Sequence, residues 1–148
     1  MKKFSFRYER ILKMRIDKED DVKNQLAKEI KELKLMEDEL NRIIHEEVDF
    51  LDQVNKRLSE GCSLEELRRY ENSKTWMKSE KENLLFYITT KEKEIINTRK
   101  ELLEATKQKK IMEKLKENAL ELYQKDVQAA EDKLTDQIVT YQSSSDRR

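Results

Sequence analysis

The two most reactive side chains in this 148-residue sequence belong to His45, its single histidine, and Cys62, its single cysteine. They lie well apart in the sequence, and no second group of possible ligands accompanies them. A zinc site needs three or four such ligands, and a Cys–His nucleophile pair needs a third group to orient the base. The neighbouring carboxylates Glu46–Glu47 and Glu65–Glu66 are expected on solvated helix faces, which do not favour acid–base catalysis. We therefore expect no catalytic residues, no metal, no cofactor and no enzymatic activity.

The composition is typical of long helices. The chain has no proline and one glycine, 43% of its residues are charged, and 36% are apolar. Sheet turns need Gly, Pro or Asn-Gly pairs, and so few apolar residues at this charge density do not favour a globular core. The 32 basic and 32 acidic residues balance, so net charge gives no general attraction to nucleic acid. We expect an all-α protein without a signal peptide or membrane span, and its single cysteine fits a reducing cytosol.

One position combines the signals that end one helix and begin another. Gly61 can adopt the left-handed conformation that closes a helix. Ser63 and Glu66 fit a capping box, in which each side chain accepts a hydrogen bond from the other's backbone amide. Because short connections make consecutive helices antiparallel neighbours, the sequence predicts an antiparallel two-helix coiled-coil hairpin with a longer second helix. We expect one coiled-coil domain over residues 1–142, with helices over about 4–59 and 63–138, a turn at 60–62 and a frayed tail at 143–148.

Apolar residues of the first helix repeat every seven residues, which is the pattern of supercoiled helices. The two predicted seam rows are Leu26, Leu33, Leu40, Glu47, Val54 and Ile30, Glu37, Ile44, Leu51, Leu58. In antiparallel register, residue i should face about residue 122 − i. The second helix offers a thinner row of Leu84, Ile88, Lys91, Ile95, Thr98, Leu102, Ala105, Lys109 and Met112. Its spacing then shifts to Leu115, Ala119, Leu120, Tyr123, Val127, Ala130 and Leu134, which indicates a stutter that locally unwinds the supercoil.

A third row of the first helix, Met36, Ile43 and Phe50, exceeds what a two-row seam requires. In the predicted register it faces a segment rich in apolar and aromatic residues, which are Trp76, Met77, Leu84, Leu85, Phe86 and Tyr87. Either a wide seam buries this row, or it remains open as a binding strip for a partner. The concentration of aromatic residues favours an interface.

The open end of the hairpin is expected to be cationic. Residues 1–15 have a net charge of +5, and the facing part of the second helix adds Lys107, Lys109, Lys110, Lys114 and Lys116. Aromatic and aliphatic residues alternate with these charges. The surface is either an ordinary solvated face or a tip that enters an acidic socket or lies on anionic lipid. A DNA-binding basic helix is not expected, because the acidic segment 17–21 would repel phosphate.

Three segments together resemble the FliJ family of flagellar type III export. The opening Phe4-Ser5-Phe6-Arg7-Tyr8-Glu9-Arg10-Ile11-Leu12-Lys13-Met14-Arg15 resembles the family's start, Phe-x-Phe-Arg-Leu-x-x-(Ile or Val)-Leu-x-Leu-(Arg or Lys). The turn Gly61-Cys62-Ser63 and the following Tyr70 resemble its Gly, capped helix and Tyr. The ending, with Glu113-Lys114-Leu115-Lys116-Glu117, Tyr123 and Glu131 to Ile138, is similar to its C-terminal pattern, although Gln137 stands where the family often has Glu. The resemblance covers nearly the whole chain.

The resemblance implies a stalk-like, monomeric coiled coil, similar in shape to the γ subunit of rotary ATPases. Such proteins bind the hexameric export ATPase (FliI), the export gate protein FlhA and export chaperones, and they act in the cytoplasm, peripheral to the cell membrane through these partners. By position from the shared Gly and Tyr, the gate-binding residues would be Ile43, Phe50, Met77 and Leu84. The residues that enter the ATPase ring would be Phe4, Phe6, Arg7, Tyr8, Arg10 and Ile11.

Three other functions remain open. The first is the equivalent stalk of a virulence type III secretion system, which would share the fold and mechanism. The second is a structural coiled coil that dimerises through its apolar stripe, and the third is a basic peripheral membrane protein.

Overall fold

The computed structural model describes residues 2–147, which form two α-helices and no strand. Helix α1 spans Glu9–Glu60 and helix α2 spans Leu64–Asp146. The two helices pack against each other, and the second is longer, so the predicted all-α hairpin is confirmed. Residue 1, at the start of the predicted coiled coil, and residue 148, at the end of the predicted tail, lie outside the described residues.

The chain divides into two compact units. The turn unit is Asp21–Leu102, and the end unit combines the residues up to Asp20 with those from Leu103 onward. Each unit contains a piece of both helices, and each is described by itself below. The expectation of one coiled-coil domain over residues 1–142 stays a prediction.

The turn between the helices uses the chemistry expected of its residues. Gly61 has a φ of 92°, and its amide donates to the Leu58 carbonyl at 3.2 Å. The Ser63 hydroxyl accepts from the Glu66 amide at 3.2 Å, which is the first half of the predicted capping box. The second half differs, since the Glu66 carboxylate accepts instead from Arg57 Nε at 3.3 Å. This ion pair joins the end of α1 to the start of α2 and raises the pKa of Arg57, chiefly through the hydrogen bond to Glu66.

Helix α1 begins at Glu9 rather than at residue 4, because tertiary contacts hold the first residues in a different conformation. The ring of Phe4 lies 5.5 Å from that of Tyr123, and the Tyr123 hydroxyl donates to the Lys2 carbonyl at 2.7 Å. The Phe6 side chain is buried. A turn then leads into the helix, with the Glu9 amide donating to the Phe6 carbonyl at 3.2 Å.

Helix α2 continues to Asp146, beyond the predicted end at about 138 and through most of the predicted frayed tail. No Gly or Pro occurs in this part of the chain to end the helix earlier. Every described residue from 128 to 147 is exposed.

In the turn unit, the seam uses one predicted row of α1 and replaces the other. The row Leu26, Leu33, Leu40, Glu47 and Val54 is half-buried as expected. The predicted second row is exposed, and its place is taken by Val22, Glu29, Met36, Ile43 and Phe50. The third row of the sequence analysis therefore belongs to a two-row seam, where it is half-buried in place of the predicted second row. This choice packs the Phe50 ring against Tyr70 of α2, with ring centroids 6.2 Å apart.

The predicted row of α2 from Leu84 to Met112 is half-buried or buried at every position. After Met112 the expected shift to Leu115 and Leu120 does not occur, because these leucines are exposed and the row continues through Lys116, Ala119, Tyr123 and Val127. The register of the two helices can be expressed as the sum of the residue numbers of two facing residues. In the turn unit this sum lies between 120, for Phe50 with Tyr70, and 128, for Glu47 with Lys81. The predicted register of 122 lies within this range.

Polar side chains interrupt the apolar seam in both units. In the turn unit, Lys81 Nζ lies 2.9 Å from Glu47, and Lys91 Nζ lies 2.7 Å from Glu32. The hydrogen bond between Lys91 and Glu32 is the main cause of a raised pKa for the lysine and a lowered pKa for the carboxyl. In the end unit, Lys109 Nζ lies 2.9 Å from the buried Glu19, and Lys116 Nζ lies 2.9 Å from Glu9. The hydrogen bond with Glu19 likewise raises the pKa of Lys109.

One polar layer of the seam lacks a hydrogen-bond partner for one of its atoms. It is centred on Glu29, whose exposed fraction is 8%. Its Oε1 accepts from the Thr98 hydroxyl at 3.0 Å and from Gln25 Nε2 at 3.0 Å. Its Oε2 is buried without a hydrogen-bond partner. A buried carboxylate oxygen in this state lowers the stability of the seam relative to a well-packed apolar layer.

Replacing this layer with apolar side chains should stabilise the hairpin. We expect Glu29→Leu with Thr98→Val to raise the free energy of unfolding by about 1–4 kcal/mol, the gain typical of apolar replacement of buried charged groups. Thr98→Val alone should lower it by about 1–3 kcal/mol, because it removes a donor from a buried acceptor. Thermal unfolding followed by circular dichroism measures both variants, and a double variant less stable than wild type would contradict the assignment.

The backbone of Gly61 should limit which residues the turn accepts. Nothing lies within 4 Å of a Cβ placed there, so the cost of substitution comes from the positive φ alone. We expect Gly61→Ala to lower the free energy of unfolding by about 1–2 kcal/mol and Gly61→Asn by less, because Asn tolerates the left-handed region. Urea denaturation checks this order, and an equal loss in both variants would show that φ is not the cause.

Candidate functional site

The first candidate surface is the tip of the end unit, where the sequence predicted ATPase-binding residues. Phe4 is half-buried against Tyr123, and Phe6 is buried, so these two rings serve mainly to pack the N-terminal segment. Tyr8 and Ile11 are exposed at 41% and 39%. The Arg7 guanidinium lies over the Tyr8 ring at 5.5 Å from its centroid, and Arg10 is exposed. The structure thus brings these residues together and leaves four of the six available to a partner.

The charge of the tip is less one-sided than the sequence suggested. Of the lysines contributed by α2, Lys109 and Lys116 form the ion pairs with Glu19 and Glu9 of α1, and Lys114 Nζ lies 3.6 Å from Glu117. Lys107 and Lys110 are exposed. Met14, 63% exposed one turn after Arg10, adds an apolar side chain that lies in the opening segment resembling the family but outside the six predicted ATPase-binding residues.

The second candidate surface is the set Ile43, Phe50, Met77 and Leu84 in the turn unit. The structure brings all four to the helix–helix seam and half-buries each of them. They are therefore less accessible than an open strip would be, and what a partner can reach is the exposed edge of each side chain.

Several exposed apolar residues of the turn unit lie outside both predicted sets. In α2, Trp76 is 63% exposed, and the rings of Phe86 and Tyr87, 69% and 59% exposed, lie 6.0 Å apart. In α1, the row that the seam does not use contains Ile44, Leu51 and Leu58, each about two-fifths exposed. The sequence analysis assigned this row to the seam, because two rows next to each other carry the same seven-residue repeat.

The reactive residues of the sequence form no cluster in the described part of the chain. His45 Nδ1 is hydrogen-bonded to the Asn41 carbonyl at 2.7 Å, and Cys62 is a half-buried free thiol in the turn. Among residues 2–147, no group of three or more His, Cys, Asp or Glu side chains is placed to hold a metal ion. Within the same residues, neither helix contains a stretch long and apolar enough to cross a bilayer.

Comparison with known proteins gives one finding. The family model described as Flagellar FliJ protein matches residues 4–148. No curated protein and no solved structure matches the chain closely enough to be compared with it. Because the family match covers essentially the whole sequence, the chain belongs to the FliJ family, an export-associated family of structural proteins, and is a component of the flagellar type III export apparatus.

Proposed function

We propose that this protein is the non-enzymatic stalk of the export apparatus, which binds the hexameric export ATPase (FliI) through its tip and the gate protein FlhA through its turn unit. The observation that carries the proposal is the exposed cationic and aromatic tip, in which Arg7 and Tyr8 stack and Arg10 and Ile11 are accessible. A socket lined by acidic and apolar side chains would complement both components of this surface.

The packing of the tip supports such a role. The Phe4–Tyr123 contact and the hydrogen bond from Tyr123 to Lys2 attach the N-terminal segment to α2, so the tip is presented to a partner already ordered. Preordering reduces the entropy lost on binding. Exposed ion pairs contribute only about 0–1 kcal/mol each, which would let the tip exchange between equivalent positions in a ring.

Gate binding is proposed for the exposed edges of Ile43, Phe50, Met77 and Leu84. Half-buried apolar side chains at a helix–helix seam can extend that seam to a third element without disrupting the first pair. Through these two partners, the protein would act in the cytoplasm at the inner face of the cell membrane, as a monomer, and would hand export chaperones to the gate. An equivalent stalk of a virulence secretion system would share this fold, and the family match favours the flagellar one.

The tip can be tested by ATPase stimulation. We expect Phe4→Ala with Ile11→Ala to reduce assembly of the ATPase ring and its stimulation by the purified protein, because the pair removes one exposed contact and loosens the N-terminal segment. Phe50→Ala, in the other unit, should leave stimulation unchanged. Ile11→Ser alone tests the proposed contact with the ATPase separately from the packing of the N-terminal segment, since Ile11 is exposed. Full stimulation by the double variant would refute the tip assignment.

The gate surface can be tested by pull-down with the gate protein's cytoplasmic part. We expect Phe50→Glu to lose at least tenfold in binding while the far-ultraviolet circular dichroism signal stays helical. Leu35→Glu is the matched control, because Leu35 lies on the same helix at 60% exposure and outside the proposed face. Since Phe50 also contacts Tyr70, thermal unfolding of both variants must be compared at the binding temperature. Retained binding by folded Phe50→Glu would remove the gate assignment.

A further inference from the structure

The end unit has two sides, separated by the seam between α1 and α2. Glu9 forms its ion pair with Lys116 on one of these sides. The other side carries residues at intervals of three and four, which place side chains on one face of each helix. We call this side the Leu115 face, and it consists of Ile11, Met14 and Lys18 of α1 with Ile111, Leu115, Leu122 and Lys125 of α2.

The two helices present the Leu115 face together. In the end unit, the sum of the numbers of facing residues is 125 for Glu9 with Lys116. Ile11 and Leu115 have nearly the same sum, so they lie at the same level on their side of the seam. At 1.5 Å per residue, the face extends about 26 Å along α2. Because α1 contributes as well, the face is broader than a single helix.

The apolar side chains of the Leu115 face are open to a partner. Their exposed fractions are 39%, 63%, 46%, 45% and 63% for Ile11, Met14, Ile111, Leu115 and Leu122. Contiguous exposed apolar surface on a strongly charged chain indicates a binding surface. The charges around these side chains then indicate what the surface binds.

The charged residues of the Leu115 face are all basic. Lys18 and Lys125 are exposed on it, and the exposed Arg15 borders it at the seam. The remaining polar positions of the face, Gln108 and Asn118, are uncharged. The first acidic residues in the same heptad rows lie beyond the ends of the face and are Asp21, Glu104 and Asp132.

The rest of the end unit between these limits is mixed in charge. The side that carries the Glu9–Lys116 pair has more acidic than basic exposed residues, namely Glu9, Glu113 and Glu117 against Lys13 and Lys110. The outer rows of the two helices, away from the seam, have Arg10, Lys107 and Lys114 against Asp17 and Glu121. The Leu115 face is therefore the side on which exposed cations occur without anions.

A uniformly anionic surface fits the Leu115 face better than a folded protein does. A protein partner can place a cation opposite each acidic residue, so a surface that binds protein tolerates acidic residues. Anionic lipid repels an acidic residue at every position of the contact, so a surface that lies on it must lack them. Pairing of this face with the same face of a second copy would bring only cations together.

Exposed aliphatic side chains bordered by Lys and Arg have the composition of helices that lie in the membrane interface. We propose that the Leu115 face binds the surface of an anionic lipid bilayer directly, with the helices of the end unit lying along that surface. This contact goes beyond the proposed contacts with the ATPase and the gate protein. It shares Ile11 with the proposed ATPase contact, and the test therefore leaves Ile11 unchanged.

The test uses the full-length protein and two kinds of vesicle, phosphatidylcholine alone and an equal mixture of phosphatidylcholine and phosphatidylglycerol. Co-sedimentation at low salt should show binding to the anionic vesicles that is tighter by roughly tenfold or more, because each cation near an anionic surface adds to the attraction. High salt should reduce this difference by screening the charges. Equal binding to both kinds of vesicle, or no binding to the anionic ones, would overturn the proposal.

Leucine variants locate the binding on the face. Leu115→Ser with Leu122→Ser should weaken binding to the anionic vesicles by roughly fivefold or more, because it removes apolar contacts with the bilayer. Leu103→Ser with Leu120→Ser is the matched control, since both leucines are on the same helix in the same unit, outside the face, with exposures of 74% and 37%. The control should bind as wild type does, and circular dichroism should show equal helicity in both. Equal loss in the two double variants would overturn the assignment.

Charge variants test the sidedness independently. Lys18→Glu with Lys125→Glu should abolish the preference for anionic vesicles, whereas Lys13→Glu with Lys110→Glu, which changes the net charge equally, should keep most of it. Equal loss in both would show attraction by net charge alone and overturn the proposal. Binding of an acidic amphipathic peptide through Leu115 and Leu122 without binding to vesicles would identify a protein partner and overturn it too. Every variant keeps the proposed ATPase-binding residues, so ATPase stimulation reports separately on the proposed function.

Discussion

The left-handed backbone at Gly61 is the constraint on which the arrangement of this chain depends. Each helix has an apolar stripe too narrow for a globular core and too large to leave in water, so each needs the other to cover it. A turn of a few residues is what brings α1 and α2 together as antiparallel neighbours. The Ser63 cap and the Arg57–Glu66 ion pair reinforce that turn on its two sides. Without it, neither the turn unit nor the end unit would contain two helices.

The seam that results combines apolar contacts with polar layers that are costly to displace from their partners. Lysine–glutamate pairs and the Glu29–Thr98 layer replace aliphatic contacts at several positions of both helices. A buried or half-buried charge is tolerable only opposite its partner, so each layer disfavours displaced pairings. Aliphatic layers would tolerate such displacement far better, because any apolar side chain covers any other. The polar seam thus reconciles a long, repetitive sequence with a single alignment.

The sequence predicted the features that depend on local chemistry. The bend at Gly61, the Ser63 cap and the row of α2 from Leu84 to Met112 all follow from residue types and spacing. It did not predict which of two neighbouring rows of α1 enters the seam, because both carry the same repeat and tertiary contacts such as that of Phe50 with Tyr70 distinguish them. The sequence also placed the start of α1 too early. Phe4 and Lys2 are held by Tyr123, which is remote in the sequence and gives no local signal. The residues of the tip could be named from the resemblance, but their division into packed and exposed side chains required coordinates.

The exposed final segment of α2 has a consequence for how the molecule meets anything else. From residue 128 onward no side chain of this helix is covered. A solitary helix of about 20 residues in water stands near the balance between helix and coil. Its ordered length should therefore shorten on warming and grow when another surface supports it. The length of ordered helix beyond Tyr123 therefore depends on whether another surface contacts it. Binding at this segment would be coupled to its folding.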